Sequence, residues 1–319
     1  MNARAAAAAL PDDPVVPSPT ARLTGHGLGI DIGGTGIKAA VVDLATGELV
    51  TERIREKTPS PSTPEAVVDV VADICHRLEA MGALTPDLPG GAGFPAVIKA
   101  GRPMTASNVD EGWIGAPAQQ LLSQRLGRPI EVLNDADAAG VAEISHGAGK
   151  GKAGTVLLLT IGTGIGSALF VDGLLVPNLE LGHLEFHGKD AEHRLSGAAR
   201  ERRKLGWKRW GREFDAYLKA MERWFWPDLI ILGGGVSKSL DKYEKYLSTR
   251  APLVPAAMLN TAGIVGAAMA GANAARAARA TTVPPATGSR SSRPSTARPP
   301  AAGRRSAGPR SAGSRSTGH

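Results

Sequence analysis

Asp135 follows an apolar, strand-like run, stands beside Asn134 and heads a stretch of small residues (Ala136, Ala138, Ala139, Gly140) that reads as a helix. A carboxylate placed there can take the proton of a hydroxyl as its oxygen attacks phosphorus. It can equally do no more than cap the helix, a common task for aspartate. The helix dipole is expected to keep it ionised. Asn134, donor and acceptor in one side chain, suits a sugar hydroxyl. Other polar residues interrupt apolar stretches: Asn108 in "GFPAVIKAGRPMTASNVDEGWIG", and Glu180, His183, Glu185, His187, Glu192 and His193 in "NLELGHLEFHGKDAEHRLSG". His and Glu together raise the question of a metal. No standard zinc spacing is present, however, and the single cysteine, Cys75, cannot help. Hydrogen bonding to a polyol fits these residues better, with His187 and His193 also readable as solvated loop.

Phosphate transfer needs donors around the phosphate as well as a base. In "GLGIDIGGTGIKAAVVDLATGELV", residues 27–50, Gly34, Gly36 and Ala39 match the loose dinucleotide pattern G-x-G-x-x-A. That pattern must lead into a helix whose N-terminus carries the pyrophosphate. Here Val41, Val42, Leu44, Leu49, Val50 and Ile54 flank a tight "DLATGE" turn, the mark of a β-hairpin, and no helix is signalled before Thr63 and Pro64. A strand, glycine turn and second strand can hold phosphate by backbone N–H groups that no side chain shields. The unit recurs in "TVLLLTIGTGIGSALFVDGLLV" around Gly162, Thr163 and Gly164. Two such loops, each opening one half of the chain, predict an internally duplicated fold with a phosphate cleft between the halves. Asp31, ending the first strand, is placed to hold a hydrated Mg²⁺ against phosphate oxygens, turn capping being the alternative. A third cluster, Gly233, Gly234 and Gly235 in "PDLIILGGGVSKSLDKYEKYL", is expected between a strand and a helix starting at Ser237 or Ser239, on a ligand rim of the nucleoside kind, tight strand-to-helix packing being the alternative.

The elements that must position these residues belong to a globular chain of 319 residues, 42% hydrophobic and 21% charged, enough for one large or two medium domains. Cys75 lies in "TPEAVVDVVADICHRLEA", where Thr63 and Pro64 open a helix and the apolar spacing buries an inert thiol. No run approaches the ~20 apolar residues of a membrane span, and the opening alanine block is a poor secretory signal. No membrane association and a cytoplasmic location are the expectation. The net charge of +7 belongs to the C-terminal end: nine arginines and no acid from Arg276 onward leave −2 for the rest. Residues 1–24 and 276–319 are compositionally a disordered leader and a disordered Arg/Pro/Ser-rich tail.

The motifs "DIGGTGIK", "GFP", "LNDADAAGVAE", "IGTGIG", "ELGH" and "IILGGG" stand in the order found in the ROK sugar kinases, and the chain resembles that family over residues 25–275. "SNVDEGWIG", "ELGHLEFHGKDAEHRLSG", "WKRWGREFDAYL" and "WPDLIILGGGVSKS" are similar to its actinobacterial, polyphosphate-using glucokinase branch. The resemblance implies the α/β, actin-like ATPase or ribonuclease-H-like duplicated fold, two domains around a cleft. The N-terminal domain would cover 25–134 and the C-terminal domain 135–260, with a helix at 261–275 returning to the first. It implies that Asp135 takes the proton from the glucose 6-hydroxyl while Asn108, Asn134, Glu180 and His183 hold the other hydroxyls. Asp31, Gly33, Gly34, Thr35, Gly36 and Lys38 of the first loop, and Thr160, Gly162, Thr163 and Gly164 of the second, would hold the phosphoryl donor with Mg²⁺. Gly233, Gly234 and Gly235 would flank the nucleotide end. Most members follow their Gly-His with a cysteine-rich zinc motif, whereas here "FHGKDAEHRLSGAARERR" stands in that place. No zinc site is expected, so packing and hydrogen bonds must order His183.

Residues 200–212, "RERRKLGWKRWGR", carry seven basic residues against one acidic. A linear polyphosphate, dense in charge and without a base to recognise, suits such a track, which Lys150 and Lys152 would extend. The alternative is an exposed basic helix face with Trp207 and Trp210 in the core. The expected reaction is phosphorylation of glucose at the 6-hydroxyl by inorganic polyphosphate, with ATP or another NTP as a further donor. The alternative is an ATP-only ROK hexokinase acting on glucose or a related sugar. The family's transcriptional repressors carry an N-terminal helix-turn-helix domain, for which the stretch before Gly27 has no room, so no specific nucleic acid is expected. A homodimer is.

Overall fold

The structure, a computed structural model, describes residues 23–282, and contacts gather these residues into one compact unit. The first half contributes β1 (His26–Ile32), β2 (Ile37–Asp43), β3 (Ile54–Glu56), α1 (Pro64–Ala80), β4 (Gly90–Phe94), β5 (Ile98–Lys99), β6 (Arg102–Pro103), α2 (Ala118–Leu126) and β7 (Ile130–Asn134). Then come α3 (Asp135–Ser145), β8 (Thr155–Ile161), β9 (Ile165–Val171), β10 (Leu174–Val176), α4 (Ala191–Leu195), α5 (Gly197–Arg202) and α6 (Trp207–Phe225). The chain continues through β11 (Leu229–Gly233), α7 (Gly234–Ser237), α8 (Leu240–Tyr243), β12 (Leu253–Pro255) and α9 (Ala262–Thr282).

The expected duplication is present in the sheets. One runs β3-β2-β1-β4-β7 and the other β10-β9-β8-β11-β12. Each begins with an antiparallel meander that encloses a glycine loop and ends with parallel strands. The segment after Gly36 is strand and hairpin, as its apolar pattern requires, with Val42 bridged to Leu49. The first helix opens where expected: Thr63 Oγ1 accepts the N–H of Ala66 at 3.3 Å, and Pro64 occupies the first turn. Cys75 is buried there, and burial pushes its thiol up to about 12, which leaves it protonated and inert.

The outer face of the first sheet is covered by α1 and α2, that of the second by α6. Between the sheets lie α9, against β1 and β4, and α3, against β8 and β9, and the two helices pack on each other. The approach is close: a Cβ on Gly266 of α9 would lie 1.7 Å from the carbonyl oxygen of Ala138 in α3. Only glycine permits that separation. The returning helix expected at 261–275 is α9, which runs on to Thr282 through residues placed in the expected tail. Alanine and arginine are strong helix formers, and no proline lies between Ala262 and Pro284. The rest of that tail, and the leader up to residue 22, lie outside the described residues. Of the two helix starts expected after the glycines, Ser239 is the N-cap of α8, while Ser237 ends the single turn α7, which starts at Gly234 behind Gly233. No helix among the described residues is long and apolar enough to cross a membrane.

Candidate active site

The parallel strands β1, β4 and β7 end together. Asp31 is paired with Gly93, Gly93 with Leu133, and Phe94 with Asn134. The carboxyl ends of such strands are where open α/β sheets bind ligands. Asn134 caps α3, its Oδ1 accepting the N–H groups of Ala136 (2.8 Å) and Asp137 (3.1 Å) and its Nδ2 donating to Ala96 O (3.1 Å). The capping task that a lone aspartate could have served therefore belongs to Asn134, and Asp135 is the first residue of the helix proper. One Asp135 oxygen accepts the Ala136 N–H at 2.8 Å. The expectation that the helix dipole keeps Asp135 ionised is corrected. Burial, reinforced by the charges of Asp31 and Glu180, pushes its carboxyl up to about 7.

The first loop turns on a Gly33 N–H bond to Gly36 O (3.1 Å) and the second on Gly162 N–H to Gly164 O (3.0 Å). Thr35 and Thr163 are exposed at their tips. A Cβ on Gly34 would lie 2.7 Å from Asn108 O, so a side chain there would push the Asn108 segment away. Gly34, Thr35 and Asn108 share an open cavity of about 540 Å³ with Lys57, Ser60 and Ser62. Lys38 Nζ lies 2.6 Å from Asp31 Oδ2. Asp31, partly exposed, still fits a hydrated Mg²⁺, which needs only one or two carboxylates beside waters and substrate phosphates. Thr160, Gly233, Gly234 and Gly235 line a second cavity of about 150 Å³ with Ser237, Lys238 and Asn260. Glu143, 1% exposed, also lines it and holds three backbone N–H groups, of Ala148 (2.8 Å), Ala257 (3.1 Å) and Met258 (2.7 Å).

Glu180 caps and His183 ends the 3-10 turn Leu181–His183, with Glu180 Oε2 3.8 Å from His183 Nε2. Burial raises the Glu180 carboxyl above its usual range. Two residues that sequence reasoning passed over hold this segment. Asp137 Oδ2 accepts the Asn178 N–H at 2.8 Å, and the Asn178 side chain accepts from Ile98 N (2.7 Å) and donates to Ile98 O (2.9 Å). The signal was present as the second aspartate of "NDADAAG", which looks like a helix-surface residue until β9 and the following loop are placed against α3. Glu192, one of the residues expected to hydrogen-bond a polyol, accepts the Ile165 N–H at 3.2 Å and so braces the second glycine loop beside His183. His187 is exposed in a loop, as the solvated-loop reading has it; His193 is exposed too but on α4, and Glu185 is also exposed.

The basic segment follows directly from the second loop. Ala198 N–H bonds Gly162 O at 3.3 Å, and α5 leads from there to Arg202. Trp210 is buried as expected, while Trp207 is half-buried, stacked on Tyr243 beneath the Arg200 guanidinium. Arg203 pairs with Glu213 at 2.7 Å, Arg209 reaches the same carboxylate at 3.4 Å, and Arg202 bonds His193 O at 3.0 Å. Lys204, Lys208 and Arg212 remain exposed without a polar partner among the described residues. Lys150 and Lys152, expected to extend the track, lie at the other end of β8 from the second glycine loop. They precede β8, whose seven residues separate them from the glycine loop by about 20 Å.

Comparison with known proteins gives a consistent result. The ROK family profile matches residues 27–193. The chain is 47% identical over 254 residues to the polyphosphate glucokinase of Mycobacterium tuberculosis (strain CDC 1551 / Oshkosh), spanning 79% of this chain and 94% of that one. A crystal structure of an inorganic polyphosphate/ATP-glucomannokinase from Arthrobacter sp. strain KM superposes with a TM-score of 0.72 at 49% identity, over 79% of this chain and all of that one. A ROK family glucokinase from Streptomyces griseus, solved with glucose and AMPPNP, gives a TM-score of 0.64 at 26% identity over 76% and 98%.

Proposed function

The chain belongs to the ROK family, which has the actin-like ATPase fold, and from that premise we infer that it is a kinase that phosphorylates glucose with inorganic polyphosphate as donor. The observation that carries the chemistry is the Asp135 carboxyl, poised near 7 at the strand ends of one sheet, where its neighbour Ala136 packs against Gly166 of β9 in the other. A base of that pKa removes a proton at neutral pH and returns it readily. In our reading Asp135 takes the proton of the glucose 6-hydroxyl as that oxygen attacks the terminal phosphorus, and the shortened polyphosphate leaves. Asn134 fixes Asp135 through the α3 cap and keeps the second hydrogen of its amide for the sugar. Asn108, Glu180 and His183 hold the remaining hydroxyls. Backbone N–H groups of Gly34, Thr35 and Gly36 and of Thr163 and Gly164, in turns closed by Gly33 and Gly162, cradle the donor with Lys38 and Thr160. Mg²⁺ held at Asp31 would neutralise charge on the transferred phosphate. The two sheets with their helices act as domains meeting at residues 134–135, with α9 returning to the first, and their cleft closes on glucose to exclude water. A homodimer in the cytoplasm completes the proposal.

ATP is the second donor. The cavity of Thr160 and Gly233–Gly235 is of the kind that would take a nucleoside end. The test is glucose 6-phosphate formation with Mg²⁺, comparing nucleotide-free long-chain polyphosphate with ATP. Turnover on polyphosphate is expected. Turnover on ATP alone would sink the polyphosphate reading and leave a ROK hexokinase.

Electrostatics supplies a further expected result. Replacing Lys204, Lys208 and Arg212 together by Gln should raise KM for long-chain polyphosphate about tenfold, flatten its salt dependence, and leave KM for ATP within about twofold. Equal effects on both donors would return the segment to an ordinary solvated surface.

A further inference from the structure

Asp190 occupies the N-cap position of α4, where an aspartate side chain ordinarily accepts an N–H of the first helical turn. It makes no such bond. Its Oδ2 lies instead 3.0 Å from Nδ1 of His183. The chain between them is folded to bring them together: Phe186 N–H bonds Lys189 O (2.7 Å), Ala191 N–H bonds Leu184 O (2.9 Å), and Glu185 bridges Asp190. One buried side chain anchors the His183 arm on both sides of that residue, since Tyr217 donates its hydroxyl to Leu181 O at 3.1 Å and meets the Phe186 ring edge-on at 5.8 Å. Charged groups facing the His183 ring are Asp190, Glu180 and Glu192, with His193 close to Asp190.

We propose that Asp190 is a positioning residue for sugar binding, accepting the Nδ1–H of His183 so that the ring's Nε2, on the Glu180 side, is turned to the sugar. The proposal rests on the reading of Glu180 and His183 as sugar ligands. A proton on Nδ1 leaves Nε2 of the neutral ring with its lone pair, an acceptor for a sugar hydroxyl. The opposite tautomer would set the Nδ1 lone pair against the carboxylate. The hydrogen bond also raises the His183 pKa above its ordinary value, and in the protonated ring Nε2 donates instead, with the Asp190 contact unchanged. In a segment without cysteine, a carboxylate thus fixes the ring.

The experiment compares Asp190→Ala, Asp190→Asn and His183→Ala in the full chain, by kinetics with polyphosphate saturating and by ¹⁵N ring NMR of His183. Asp190→Ala should raise KM for glucose about tenfold or more while kcat changes less than about threefold. The His183 pKa should fall toward the ordinary value, and its neutral ring should populate both tautomers. Asp190→Asn, whose amide oxygen can still accept Nδ1–H, should recover most of the loss. Wild-type KM and tautomer in Asp190→Ala, or equal losses in the Ala and Asn variants, would overturn the proposal. If His183→Ala leaves KM for glucose unchanged, the sugar-site reading falls. The ring tautomer in Asp190→Ala then decides by itself whether Asp190 sets the ring.

Discussion

Asp135→Asn lowers kcat by about 10²–10⁴-fold while glucose binding stays measurable, the usual size of a lost general base. The wild-type profile carries the signature. With the Asp135 carboxyl near 7, kcat/KM for glucose falls about tenfold per pH unit below that value as the base takes up its proton. The residual rate of the Asn variant lacks that fall. A variant that keeps both the rate and the profile would reduce Asp135 to a residue of the helix start. Stability moves the other way. The folded pKa lies above the unfolded one, so between the ordinary carboxylate range and 7 the native state binds more protons. Stability is therefore lost as pH rises through that window. The Asn variant should thus melt higher than wild type at pH 8, by about 2–4 °C for each kcal/mol relieved, with the gap closing toward pH 4. Asp137, also pushed up to about 7 by burial, is common to both proteins and drops out of the difference.

Gly266→Ala produces the largest loss of stability. Its new methyl would stand 1.7 Å from Ala138 O, a backbone atom of a helix that cannot rotate away. α3 and α9 must separate, at a cost of about 3 kcal/mol or more, or roughly 6–12 °C in melting temperature. Ala138 is one turn from Asp135, so kcat should also fall at temperatures where the variant is still folded. A variant with the wild-type melting temperature would contradict the packing of these helices.

The elements around the candidate site are legible from local pattern. The strand–glycine–strand units announced the two loops and the duplication, and Thr63-Pro64 announced the first helix. Asn134-Asp135 before small residues announced a strand end feeding a helix. What stayed hidden depends on contacts across the chain. The dipole argument for Asp135 uses only its own helix, whereas its pKa is set by burial and by Asp31 and Glu180, 104 and 45 residues distant in sequence. Asp137 and Asn178, or Asp190 and His183, carry no motif of their own, and their pairing exists only once loops meet. The basic run 200–212 read as a track of seven cations, but four are engaged by Trp207, Glu213 and a carbonyl that no local rule identifies.

The inner cover of the first sheet has a further consequence, at the ribosome. That sheet is complete in sequence at Asn134, yet Val42 and Leu44 pack against Ile264, Val265 and Ala268, which are translated last among the described elements. At about 5–20 residues per second, the wait between Asn134 and Thr282 is on the order of 10–30 s. Throughout it the nascent chain carries a sheet with one bare apolar face, a surface for chaperones to hold. A transcript interrupted before Ala262 would leave that face bare for good, so such a fragment is marked for aggregation or proteolysis rather than for partial activity.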